Sequence, residues 1–414
     1  MAQPPGIHAR RAALQMLDAV LRRGETLEQA EPAALRSVRS APDKALARAI
    51  AHEALRWLTD LDALIDSATP QRLPDDAKAR SVLRLMLAQW LRLGTPPHAV
   101  VATALPLLTG GPRRLAHGVF STLAKREATL PAVPSLPAAV AARWGDWAPQ
   151  IAAGLADPPP LDLTLRDGLH DPVQTTQWAV KLGGESYAAG HVRLSRGVAV
   201  EKIEGFRQGE WWVQDLAASL PARLLGEGAG RHVLDLCAAP GGKTMQLAAM
   251  GWKVTALDLS KRRLDLLREN LKRTGLKASL VRADAQEWEP KHRFDAILLD
   301  APCSATGTCR RHPDVLHRIG QRQIAEMAEL QSALLDRAAG WLKPGGILVY
   351  AVCSLEAEEG EQQAMRITLD PLPIQPHELP PGIPSTPDGW MRTHPGLLAE
   401  HGGLDGFFVA RWRG

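Results

Sequence analysis

Apolar residues recur at helical spacing through the first third of the chain. In 8–22 (HARRAALQMLDAVLR), Ala13, Leu14, Leu17, Val20 and Leu21 follow the i, i+3, i+4, i+7 pattern. That spacing predicts an amphipathic helix with Arg10, Arg11, Arg22 and Arg23 on or beside its wet face. The same spacing predicts helices over Asp43–Leu58, Ala79–Leu93, Pro97–Leu108 and Arg113–Arg126. No strand-like alternation interrupts them, so 5–130 is expected to be an all-helical domain with an arginine-rich surface suited to RNA contact. Pro131, Pro134 and Pro137 then end the pattern and mark a linker.

The period changes further on. Ala138–Leu155, with Trp144 and Trp147, reads as a helical pair, and Pro158-Pro159-Pro160 makes a second break. Leu161–Arg166, Gly190–Leu194 and Glu210–Val213 read as short strands, which suggests a small α+β unit over 138–220. From Gly230 strand and helix patterns alternate, as in a parallel α/β sheet. The predicted strands are His232–Leu236, Lys253–Leu257, Ala278–Val281, Phe294–Leu299 and Gly346–Ala351, with a helix near Arg322–Trp341 and a last edge strand at Gly406–Arg411. A Rossmann-like domain over 221–414 is the expectation.

The first of these strands leads into Cys237-Ala238-Ala239-Pro240-Gly241-Gly242-Lys243, a glycine-rich turn at the carboxyl end of a strand, where open α/β sheets bind ligands. Paired glycines let the backbone turn sharply and let a ligand come close. The turn is neither GxGxxG nor a P-loop, so a nucleoside-like ligand without a phosphate chain fits it better. Lys243 alone reads equally well as a solvated residue of the first helical turn.

Composition adds bounds. At 414 residues the chain has room for two to four domains, and 45% hydrophobic with 23% charged residues is ordinary for a folded protein. A net charge of +4 and a pI of about 8.9 are compatible with a polyanionic partner. The four cysteines, Cys237, Cys303, Cys309 and Cys353, have no zinc-site spacing, so no metal is expected. No leader-like or long apolar run is visible, and a cytoplasmic protein with reduced thiols, monomeric and without a membrane partner, is expected.

Asp258, Asp284, Asp300, Cys303 and Cys353 each follow a predicted strand, and in a parallel sheet those ends share one rim. A single aspartate there is an ordinary cap. Three beside a glycine turn suggest a nucleoside pocket, with Asp258 on ribose, Asp284 on an adenine edge and Asp300 near the reacting group. A rim thiolate is a nucleophile. Two without C-x-x-C spacing suit a covalent step plus a helper better than a redox pair. Cytosine C5 chemistry needs such a step, because C5 becomes nucleophilic only after a thiolate adds at C6.

The stretches DLCAAPGGKT, LDLS, RAD, LLDAPCSATGTCRRHPD and VYAVCSLEAEE resemble the motifs of the RNA cytosine-C5 methyltransferases of the NOL1/NOP2/Sun group, over about 205–411. The N-terminal helical pattern is similar to that of NusB-like domains, which points to the bacterial branch acting on small-subunit (16S) ribosomal RNA. The resemblance implies a class I methyltransferase fold and S-adenosylmethionine as cofactor. It implies a cofactor site from Cys237 through Lys243 (Ala238, Ala239, Pro240, Gly241 and Gly242 included) with Asp258, Asp284 and Asp300. It also implies Cys353 as nucleophile, Cys303 as the residue that helps resolve the adduct, and Asp300 in contact with the cytosine. From the residues alone, Cys303 as nucleophile, as in DNA enzymes, stays open. So do a non-catalytic rRNA-binding assembly factor and a methyltransferase with a protein or small-molecule substrate. The chain departs from the group at Val352, where Thr is usual, at Ala305, and in Glu356–Glu361, which replaces an Asn-containing turn.

Overall fold

The computed structural model describes residues 6–169, 171–197 and 199–414. It divides into two compact units: residues up to Asp157 together with Cys309–Ile319, and Pro158–Thr308 together with Gly320–Gly414.

The first unit is helical: α1 (Ile7–Arg23), α2 (Leu27–Ala34), α3 (Ala41–Arg56), α4 (Leu58–Ser67), α5 (Lys78–Leu91), α6 (Pro97–Ala104), α7 (Gly110–Lys125), α8 (Ala138–Trp144) and α9 (Ala148–Gly154). Side-chain caps start two of these helices, Thr26 accepting from the Gln29 N–H and Ser40 from the Asp43 N–H. The long run predicted over Asp43–Leu58 is interrupted at Trp57, and α4 continues from Leu58. Neither α2 nor α4 was anticipated; α2 is short and carries an internal Pro32, so its periodicity is weak.

Helix α5 is buried around nearly its whole circumference, which makes it the central helix. Its arginines cannot then be surface residues. Arg80 and Arg84 are 0% and 3% exposed, and both donate to Asp62; Arg80 also clasps Asp66 at 2.6 and 3.0 Å. Arg10, expected on the wet face of α1, is likewise buried and donates to Gln89 Oε1 at 2.7 Å. The arginine-rich surface is thus reduced by arginines that are buried against Gln89 and the half-buried Asp62 and Asp66. The helical pair at 138–154 belongs to this unit, and the Ser135 N–H in the proline linker bonds Asp60 Oδ2 at 2.8 Å. So does Cys309–Ile319, with its single-turn helix α14 (Val315–Arg318). The Arg56 guanidinium donates to the Leu155 and Arg310 carbonyls, and His317 Nε2 bonds the Leu55 carbonyl at 2.7 Å.

The second unit opens with an antiparallel sheet of β1 (Leu161–Leu165), β2 (His191–Leu194) and β3 (Trp211–Val213), in the order β2-β1-β3, with α10 (Pro172–Leu182) between β1 and β2. The main sheet follows α11 (Leu216–Arg223). It contains β4 (His232–Leu236), α12 (Gly242–Ala249), β5 (Lys253–Asp258), α13 (Lys261–Thr274), β6 (Ser279–Arg282), β7 (Phe294–Asp300), α15 (Gln321–Gly340), β8 (Leu342–Val352), α16 (Glu361–Arg366), β9 (Asp370–Pro371), β10 (Met391–Arg392) and β11 (Phe408–Arg413). Its order is β10-β11-β8-β7-β4-β5-β6, and the strands from β4 to β8 run parallel.

The core strands are apolar on both faces, as a sheet covered by helices on both sides requires. Val233, Leu298 and Val349 pack on one side with Leu216, Leu264 and Leu267, while Leu234, Leu299 and Tyr350 pack on the other with Leu334 and Leu335. The last long strand, expected at the edge, is instead an inner strand: β11 runs antiparallel to β8 and is covered on its other side by β10 and β9. Two-residue strands cannot be found by a period-two pattern. The chain reverses direction of growth between β4 and β7, which makes their carboxyl ends a topological switch point.

Candidate active site

The switch point is shaped by a backbone that turns tightly. Cys237 (φ 61°) directly follows β4, and Gly241 (φ 106°) precedes α12. A Cβ on Gly241 would stand 2.0 Å from Leu267 Cδ1, so a side chain is excluded by helix α13 as well as by backbone conformation. Asp258, at the end of β5, accepts the Ala239 N–H at 3.1 Å and the Ser260 N–H at 2.8 Å. It thereby ties the glycine turn to the start of α13. Arg263 donates to the Ala239 carbonyl and lies 3.6 Å from Asp258.

Beside this turn lies a cleft of about 270 Å³. Asp258, Ser260 and Asp284 offer polar atoms on its wall, while Pro302, Leu330 and Leu334 are among the apolar groups lining it. Asp284 Oδ1 accepts the Gln286 N–H at 2.8 Å, which fixes the carboxylate after β6. Cys237 also lines the cleft, and burial with nearby Asp300 and Asp258 pushes its thiol far up, so it stays protonated. Carboxylates able to take hydroxyls, facing apolar groups able to cover a flat ring, suit a nucleoside-bearing cofactor.

On the β7–β8 side of the switch point, Lys243 Nζ donates to Asp300 Oδ2 at 2.7 Å and lies 5.3 Å from the Phe407 ring centre. Beneath them Asp235 is fully buried in β4 and accepts from Thr244 Oγ1. Its environment pushes its carboxyl up to about 7, mainly through burial. Cys303 and Cys353 follow the adjacent strands β7 and β8, and their sulfurs are 3.4 Å apart. The hydrogen bond with Cys353, then burial, raises the Cys303 thiol well above its usual range. Among the described residues no cluster of His, Cys, Asp or Glu would hold a metal ion, and no helix is long and apolar enough to cross a membrane.

The family model described as 16S rRNA methyltransferase RsmB/F matches residues 222–413, and that of the NusB family matches 7–109. The chain is 33% identical to a ribosomal RNA small subunit methyltransferase B of Klebsiella pneumoniae subsp. pneumoniae, over 98% of each chain. It belongs to the RsmB/F family of 16S rRNA methyltransferases. The Shigella flexneri protein of the same description is also 33% identical, over 97% of each chain. The crystal structure of PH0851 shares the fold, with a TM-score of 0.73 over 99% of both chains at 22% identity. A methyltransferase homolog from Pyrococcus horikoshii is 29% identical, with a TM-score of 0.55 over 66% of this chain and 94% of the other.

For this RsmB/F family member, the residues singled out from sequence separate into two groups. Cys237, Asp258 and Asp284 line the cleft. Ala238, Ala239, Pro240, Gly241 and Gly242 form the turn beside it, while Lys243, Asp300, Cys303 and Cys353 gather around β7 and β8. Cys309 lies apart, fully buried in the first unit. Sequence reasoning missed Arg263, Phe407 and the buried hydroxyls of Ser304, Thr306 and Ser354. It also read Glu356–Glu361 only as a departure from the group's pattern, although Glu356 and Glu359 are buried. The repeated Cys-Ser in PCS and VCS was the signal available for Ser304 and Ser354.

Proposed function

We propose that this chain methylates C5 of a cytidine in small-subunit ribosomal RNA, with S-adenosylmethionine as methyl donor and Cys353 as the nucleophile. The observation that carries this reading is the pair of sulfurs 3.4 Å apart at the ends of adjacent parallel strands, beside the Lys243–Asp300 ion pair. A methyltransferase without covalent catalysis has no use for it. Relatives named ribosomal RNA small subunit methyltransferase B, and the NusB family match at 7–109, support the RNA substrate.

Asp258 and Asp284 would hold the ribose and base of the cofactor, with Leu330, Leu334 and Pro302 covering the ring. When bound, S-adenosylmethionine supplies an electrophilic methyl on a sulfonium. Cys353 Sγ adds to C6 of the cytosine, which makes C5 electron-rich, and Asp300, its charge balanced by Lys243, holds the base in place. After methyl transfer a base removes the C5 proton, the C6–S bond breaks, and its electron pair returns to Cys353. Cys303, its sulfur 3.4 Å away, is placed to donate to that leaving sulfur. The target cytidine must be outside a helix stack, so a loop or single-stranded segment is the substrate. This activity belongs in the cytoplasm and needs only a monomer.

The test uses a small-subunit rRNA fragment carrying 5-fluorocytidine, with S-adenosylmethionine and denaturing electrophoresis. Fluorine cannot leave as a cation, so wild type and Cys303→Ala are expected to trap a covalent protein–RNA band, and Cys353→Ala none. A band lost only in Cys303→Ala would exchange the two roles. No band from wild type, with cofactor binding intact, would overturn the C5 reading.

A further inference from the structure

Glu359 is a carboxylate with no exposure to solvent, placed in the turn that precedes α16. Its Oε1 accepts the Ser304 N–H at 2.8 Å and Gln331 Nε2 at 3.2 Å, and its Oε2 accepts from both Ser304 Oγ and Ser354 Oγ. Ser304 directly follows Cys303, and Ser354 directly follows Cys353. One side chain is therefore bonded to the residue after each cysteine. Neighbouring bonds close the same joint: the Gly307 N–H donates to the Cys353 carbonyl at 3.0 Å, and the Leu355 N–H to Thr306 Oγ1 at 3.0 Å. Tyr350 Oη donates to the Glu359 carbonyl at 2.6 Å, which fixes the backbone of the clamp itself.

A buried carboxylate that neither pairs with a cation nor lines the cleft costs stability, so its retention calls for a compensating role. Its four donors come from two serines and a glutamine, none of them charged. Burial raises the Glu359 carboxyl itself, and in its ionised form its charge disfavours ionisation of the Cys303 thiol. Among the titratable or charged groups near this joint are Tyr350, Arg392, which donates to the Ser354 carbonyl and pairs with Glu361, and the Lys243–Asp300 ion pair.

We propose that Glu359 is a positioning residue for methyl transfer: bonded to the residues that follow both cysteines, it holds the two sulfurs together and sets a carboxylate beside the Cys303 side of the pair. The proposal rests on the covalent reading given above. Cys353 then acts as the nucleophile with Cys303 held beside it as the adduct resolves. The clamp distinguishes two chemically identical side chains by two bonds to Ser304 against one to Ser354.

Full-length wild type, Glu359→Gln and Glu359→Ala are compared by iodoacetamide alkylation between pH 6 and 10, with Cys303 and Cys353 followed separately by peptide mass spectrometry. Glu359→Gln removes the charge and keeps the shape, so the midpoint for Cys303 is expected to fall by about half a pH unit or more. Glu359→Ala also removes the clamp, and covalent trapping on 5-fluorocytidine RNA is expected to slow at least about tenfold, with cofactor affinity within about twofold. An unmoved Cys303 profile in Glu359→Gln would overturn the proposal, and so would trapping at the wild-type rate in Glu359→Ala. Parallel loss of trapping, cofactor binding and cooperative melting would reduce Glu359 to a structural residue and also overturn it. If wild type traps nothing, the C5 reading fails by itself, while the alkylation profiles still test the clamp.

Discussion

Asp235 lies under the glycine turn with one carboxylate oxygen bonded to Thr244 and the other without a partner. Its carboxyl is raised from 3.8 to about 7, so between those values the folded protein holds a proton that the unfolded chain has released. Stability from this group therefore declines as pH rises from about 4 to about 7, and stays low above that. Asp235→Asn removes the titration. The difference in unfolding free energy between variant and wild type is expected to move in the variant's favour from pH 5 to pH 8, on the order of 2 kcal/mol. Urea unfolding at both pH values checks this; a constant difference would contradict it. Lys243 makes a second test. Lys243→Met leaves Asp300 without its cation, and methylation is expected to fall about 100-fold. The affinity for S-adenosylmethionine, measured by calorimetry, is expected to change little, because the cleft wall is formed by other side chains.

Elements bring those residues together through close approaches that only small residues allow. Gly241 is filled from below by Leu267 of α13, which is itself fully buried. Gly241→Ala is expected to displace the turn from α13, weaken cofactor binding at least about tenfold and cost roughly 2 kcal/mol. Cofactor titration and thermal melting measure the two effects. Gly307 shows the same logic on the cysteine side, since a Cβ there would meet the Gly406 carbonyl oxygen at 2.0 Å. The strand ends that carry the site were readable from sequence because β4, β5, β7 and β8 are apolar runs bounded by polar residues. The helix that supplies Leu267 and Arg263 was not singled out, although its Ser260 cap and terminal Gly275 mark it clearly. Its contribution to the site depends on which side chains point back over the turn, and periodicity alone does not report that.

Across the molecule, the segment Cys309–Ile319 belongs to the helical unit although the strands on either side of it in sequence build the sheet. Arg56 helps hold it in the unit, donating to the Arg310 carbonyl in the segment and to the Leu155 carbonyl beside it, with Glu53 as ion-pair partner, and His317 of the segment bonds the Leu55 carbonyl. Arg56→Met leaves those acceptors buried and unmatched, and a loss of about 3 kcal/mol is expected in chemical denaturation. A loss below about 0.5 kcal/mol would mean that the segment is held by its other contacts, the His317–Leu55 bond among them.

Local pattern determined the kind and order of most elements, the proline breaks, and the acids and cysteines at strand ends, because backbone periodicity and turn chemistry act over a few residues. It also carried the motifs by which the family is recognised. Packing decided the rest. Arg10 reads as solvated until Gln89, far along the chain, meets it, and Arg80 and Arg84 are buried once α4 supplies Asp62 and Asp66. Glu359 read as one acid in an acidic run, until strands β7 and β8 bring Ser304 and Ser354 to the same carboxylate. A charged side chain is interior or exposed according to what meets it, and which distant segments meet is settled by the register of strands and the stacking of helices.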